Sequence, residues 1–170
     1  MVRESFKGKP VLPRKLSAVL VEDIGRRIVN RLRVLADLRH PSRTISTTLH
    51  LTGTVTLLLE SVAQMQQITK KDALVVCLDA VLDDILQVRK SQPLDELGVI
   101  GNIIRQSRLP PHEGFYCFSI RMPLRIHRKL KDAAYLHDVR ITRVVCAVIH
   151  SLGPYLTSHP YNQLDLFEKS

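Results

Sequence analysis

The side chains of this 170-residue chain whose types and spacing can do chemistry are suited to recognition. Ser46, Thr48 and His50 occupy every second position of one short stretch, and Cys117, Ser119 and Arg121 do the same in another. Hydroxyls donate or accept, an imidazole does both, and a guanidinium presents a rigid fork of donors. A second set follows two polar breaks: Thr69, Lys70 and Lys71, then Arg140, Thr142 and Arg143. Cations and hydroxyls beside the free N–H groups of a starting helix hold anions. Reaction chemistry is not expected. None of the seven histidines pairs with Cys or an acid at HxxxH or HExxH spacing, and there is no P-loop, GxGxxG or GxSxG. The expectation is a non-enzyme with no catalytic residue, no metal site, no cofactor and no small-molecule substrate.

The charge balance names the kind of partner. Lysine and arginine number 25 against 16 acids, giving +9 and a pI near 9.8. Such a chain attracts polyanions. Residues 1–43 hold 11 basic and 4 acidic side chains, and residues 115–159 hold 7 and 2. Apolar residues make up 45%, tryptophan is absent and aromatics are 5%, so the expected core is aliphatic and belongs to one domain or two very small ones. No apolar run reaches membrane-spanning length, and the basic start from Met1 to Arg14 lacks the apolar stretch of a signal peptide. Cys77, Cys117 and Cys146 never form CxxC, which points away from disulfides and zinc ribbons and toward a reducing cytoplasm.

The elements that must position these side chains occur twice. A shift of 71 residues lays Ile45, Thr47, Leu49 and Leu51 on Tyr116, Phe118, Ile120 and Met122. It also lays Val55, Leu59, Ala63, Met65 and Ile68 on Ile126, Leu130, Ala134, Leu136 and Val139. Leu74, Cys77, Leu78 and Val81 then fall on Val145, Val148, Ile149 and Leu152. In both copies an alternating stretch, the period of a half-buried strand, ends at Thr52-Gly53 or at Pro123. Apolar spacings of 3 and 4 then predict an amphipathic helix. The polar breaks Gln66-Gln67 and His137-Asp138 precede a second, strongly apolar helix starting near Thr69 and near Ile141. Thr69 and Asp72 have the spacing of an N-cap box.

This strand–helix–helix unit resembles the ribbon-helix-helix family, to which the Arc and MetJ repressors belong. Phe118 to Pro123, Leu130 to Ala134 and Val144 to Leu152 carry the resemblance closely; Ser46 to Leu86 carry it more weakly. The resemblance implies a mainly α fold with a two-stranded antiparallel β-ribbon, in which paired strands bring interlocked helices together. A single chain with both halves is similar to the tandem TraY-type accessory proteins of plasmid conjugation and to factors of T-DNA transfer. Such a ribbon fits the DNA major groove. Ser46, Thr48, His50, Cys117, Ser119 and Arg121 would then face the bases, with Arg121 the best guanine reader, while Thr69, Lys70, Lys71, Arg140, Thr142 and Arg143 would hold phosphates.

The expected organisation is a basic arm (1–15), an amphipathic helix and connector (16–43), the first repeat (44–90), a linker with a short helix from Leu94 to Arg105 (91–114), the second repeat (115–158) and a tail (159–170). Val19, Leu20, Ile24, Ile28, Leu32 and Leu35 line one side of the N-terminal helix, with Arg26, Arg27, Arg31 and Arg33 adding charge for DNA contact or oligomerisation. The first repeat carries four basic side chains against five acids, an odd balance for half of a DNA clamp. The leading expectation is a sequence-specific double-stranded DNA binder, a repressor or a relaxosome accessory factor, partnered also by itself or by a DNA-processing protein, with no membrane role. The alternative is an assembly module whose basic arm meets an acidic partner or RNA.

Overall fold

Alternation over Thr44–Thr52 and Phe115–Pro123 produces two strands, β1 and β2. They pair antiparallel, with Thr48 opposite Ser119, Ser46 opposite Arg121 and His50 opposite Cys117. The computed structural model describes residues 23–28, 30–31 and 43–158. Helix α1 spans Gly53–Gln66 and α2 Lys70–Leu86; a 3-10 turn at Leu94–Leu97 leads into α3, Gly98–Arg108. After β2 come α4, Leu124–Leu136, and α5, Ile141–Ser158. The described residues are mainly helical, with one two-stranded sheet. The basic arm, the tail and most of the expected 16–43 helix lie outside them.

Three helix starts have a local cause. Thr52 caps α1, its hydroxyl accepting from the Val55 N–H, and Thr69 caps α2 by accepting from Asp72 N–H at 3.1 Å. Pro123 ends β2 and leads into α4, where no donor is needed from it. The linker helix begins as a 3-10 turn and runs to Arg108, three residues beyond the sequence expectation.

The 71-residue offset reappears in the backbone. Gln67 and Asp138, mates under that shift, both adopt left-handed φ, 56° and 53°. Ile68 N–H donates to Ala63 and Val139 N–H to Ala134, each at 3.0 Å, closing the two helix ends alike. Gln66 Nε2 donates to the Leu156 carbonyl at 2.8 Å, and its mate His137 donates from Nε2 to the Ile85 carbonyl at 3.2 Å. Leu156 and Ile85 are themselves 71 apart. The polar breaks therefore tie each first helix to the end of the opposite second helix.

Packing follows the same exchange. α1 lies against α5 and α4 against α2, while α5 meets β1 and α2 meets β2. Gly153 leaves room for Leu58 of α1 against α5, since a Cβ there would meet that side chain at 2.4 Å. The core is aliphatic: Leu59, Leu74, Leu78, Leu82, Met122, Ile126 and Leu130 are all buried. Ile24 and Ile28 of the N-terminal helical stretch join it.

A left-handed glutamine costs more than a left-handed aspartate or glycine. Gln67→Gly is therefore expected to stabilise the protein by about 1 kcal/mol, raising Tm by roughly 2–4 °C. Asp138→Gly should do less, and parallel thermal melts of the two variants read the difference.

Candidate nucleic-acid interface

Along β1 and β2 the apolar side chains turn inward onto the helices: Leu49, Leu51, Ile120 and Met122 are buried. The opposite face is open. Ser46, Thr48, His50, Cys117, Ser119 and Arg121 are all exposed, and the register sets them out as three cross-strand pairs. The Thr48–Ser119 pair stands at the centre, with Arg121 beside Ser46 toward one end and His50 beside Cys117 toward the other. Cys117 Sγ lies 3.6 Å from His50 Nδ1, within hydrogen-bonding reach. Neither strand contains an acid, and Arg121 has no ion pair among the described residues. Sequence reasoning missed Thr44, exposed on the same face; counting back two from Ser46 finds it.

One strand residue departs from the expected inward row. Tyr116 is 61% exposed although Leu51, directly opposite, is buried. Its ring stands by Gly53 at the start of α1, where a Cβ would approach it to 3.4 Å. Leu51 of β1 fills the core at that level, and the Tyr116 ring lies by the start of α1 instead.

The two helix starts are unequal anion sites. α2 begins with exposed Thr69, Lys70 and Lys71, but Thr69 serves as the cap and Asp72 is in the first turn. Lys70 is also 3.4 Å from Glu60, a surface pair worth little. The first turn of α5 holds Thr142 and Arg143, preceded by exposed Arg140, and no acid. Its position is fixed against the ribbon: the Cys146 thiol donates to the His50 carbonyl at 3.9 Å, and Arg143 faces the same cavity as Thr52 and Phe115. The α5 start is thus placed at the His50–Cys117 end.

The acidic balance of the first repeat has a structural explanation. Asp79, 4% exposed at its side chain, receives Arg31 at 2.5 Å and Arg125 at 3.0 Å. Asp83 pairs with Lys129 at 2.8 Å and Asp84 with Arg27 at 2.6 Å. These carboxylates bind the chain's own cations. Arg27 and Arg31 join the N-terminal helical stretch to α2. α4 carries Arg125, Arg128, Lys129 and Lys131; Arg125 and Lys129 make these ion pairs, and Arg128 and Lys131 are exposed without one among the described residues.

Glu113 had no sequence signal. It reaches 59 residues back to α1, where it accepts from Thr54 N–H at 2.8 Å and from the Thr54 hydroxyl. Those bonds, the stronger causes, and the nearby His150 hold its carboxyl below the ordinary value. The stabilisation from this Glu113–Thr54 contact is accordingly present above the usual carboxylate range and lost as pH falls through the depressed value.

The three cysteines are free and differ in exposure. Burial pushes the Cys77 thiol up to about 12, and burial also raises Cys146. Cys117 is exposed on the ribbon. A maleimide is expected to modify Cys117 first and Cys77 only on unfolding. A bound duplex over the ribbon should protect Cys117, a result that mass mapping with and without DNA checks.

Among the described residues no helix is long and apolar enough to cross a membrane. No family model matches this chain, nor does any curated protein or solved structure.

Proposed function

We propose that this chain binds double-stranded DNA sequence-specifically by laying β1 and β2 in the major groove, as a cytoplasmic transcriptional repressor or DNA-transfer accessory factor. In this reading the two strand–helix–helix units form a tandem ribbon-helix-helix pseudo-dimer within one chain. The observation that carries it is the ribbon's outer face: seven exposed side chains of hydrogen-bonding type, Thr44 included, and no carboxylate, in a chain of charge +9. The major groove admits a two-stranded ribbon and offers each base pair a distinct donor and acceptor pattern. Apolar side chains on the inner face keep the ribbon seated on the helices, so the polar face is the one presented.

The α5 start supplies the stronger phosphate grip, through Arg140, Thr142, Arg143 and the free N–H groups of the first turn. Lys70 and Lys71 act as point charges at the other side. Replacing either lysine by alanine should weaken all duplexes alike and reduce the slope of log affinity against log salt by about 1. Fluorescence anisotropy over a salt series reads that slope.

The direct test is selection from a random duplex library at about 0.15 M salt, where nonspecific attraction is already weakened. An enriched motif, an inverted repeat with unequal halves, supports groove reading. Binding that only fades with salt, without enrichment, would return the chain to the assembly reading.

A further inference from the structure

We propose that the cavity between α5 and the segment joining α3 to β2 is a binding site for a small organic carboxylate. The cavity is partly open to solvent and has a volume of about 280 Å³. Its apolar lining comes from four separate places in the chain: Val55 of α1, Leu109 of the linker, Phe115 at the start of β2 and Ala147 of α5. Arg143 and His150 border it from α5, and His112 borders it from the linker. Small-molecule sites have this make-up, a mostly apolar hollow with a few convergent polar groups.

The charge pattern selects the ligand. Glu113 is the one acid in the lining, and its carboxylate is already committed to Thr54 at the start of α1. Arg143 has no ion pair among the described residues, so its guanidinium is available to a second carboxylate. A bidentate Arg–carboxylate contact fixes orientation as well as charge. The apolar body of the ligand would lie against Phe115 and Leu109. A neutral apolar molecule would leave the guanidinium unused, and a dianion would meet Glu113.

The site also touches the ribbon. Cys146, in its wall, donates to the His50 carbonyl, and Thr52 ends β1 there. Resting on the DNA reading above, occupancy would take Arg143 from phosphate and weaken duplex binding.

The experiment titrates 1-naphthoate into the full chain by calorimetry. The expected result is saturable binding at one site. Arg143→Gln and His150→Gln should each weaken it by about tenfold while circular dichroism stays unchanged, and the neutral naphthalene-1-methanol should bind about tenfold more weakly. No saturation by about 5 mM, a level that even a millimolar Kd would reveal, overturns the proposal. So does equal affinity for the acid and the alcohol, or for the parent and the Arg143 variant. Duplex affinity with and without naphthoate is read separately: a chain that binds no DNA sinks the groove reading and leaves the calorimetry to decide the cavity.

Discussion

Arg121→Ala is expected to cost about 1–3 kcal/mol, roughly 5- to 150-fold, against the selected duplex, with the loss concentrated at one base pair. The side chain is exposed at one end of the ribbon, opposite Ser46, and no acid of either strand competes for it. A guanidinium takes guanine O6 and N7 together through a rigid planar fork, whereas a lysine ammonium on a flexible stem fixes that geometry less well. Arg121→Lys should therefore recover salt-dependent attraction and only part of the base preference. Its mate under the 71-residue shift is His50, at the other end beside Cys117. The two ends consequently present different chemistry, and the variant should flatten one half of the motif only. Because Arg121 is exposed and outside any ion pair among the described residues, folding stability should change by no more than about 0.5 kcal/mol. The measurement is affinity across a panel of duplexes carrying every substitution at each position of the motif. Unchanged preference at all positions would remove Arg121 from base reading.

Periodicity made the ribbon legible. Alternation identifies which side chains share a face, and the buried set at Leu49, Leu51, Ile120 and Met122 confirms which face turns inward. The doubled pattern also located both polar breaks, where Gln67 and Asp138 take left-handed φ. Tyr116 shows the limit of that reasoning, because alternation does not tell which strand of a pair fills the core at a given level. Long-range pairing was equally hidden. Arg31 and Asp79 are 48 residues apart, Arg125 and Asp79 are 46, and Glu113 reaches Thr54 across 59. Nothing local in the chain distinguishes these charges from solvated ones; the packing of the N-terminal stretch, the linker and α4 against the first repeat brings them together. The acid excess of the first repeat was legible as a sum but not as an arrangement: Asp79, Asp83 and Asp84 are answered by cations from the N-terminal stretch and α4.

That exchange predicts how the protein unfolds. Leu59 on α1 and Leu130 on α4 are mates under the 71-residue shift, and both are buried. Replacing either by alanine should cost about 2–5 kcal/mol, the loss of burial plus the cavity left behind. For a chain of this size the corresponding fall in Tm is roughly 4–20 °C. The form of the transition is the sharper test. Two repeats folding as separate domains would show two transitions, with each variant lowering one of them. Here α1 packs on α5 and α4 on α2, so a cavity under either first helix damages a contact between the repeats. Gln66 and His137 strengthen the coupling, since each donates to a carbonyl of the opposite second helix. Both variants should therefore melt in one cooperative transition, with calorimetric and van't Hoff enthalpies in agreement. The double variant, with both holes in one cooperative unit, should lower that single midpoint further. A surviving high-temperature transition in either single variant would mean that the repeats fold independently and that the interlocked packing does not hold the ribbon in place.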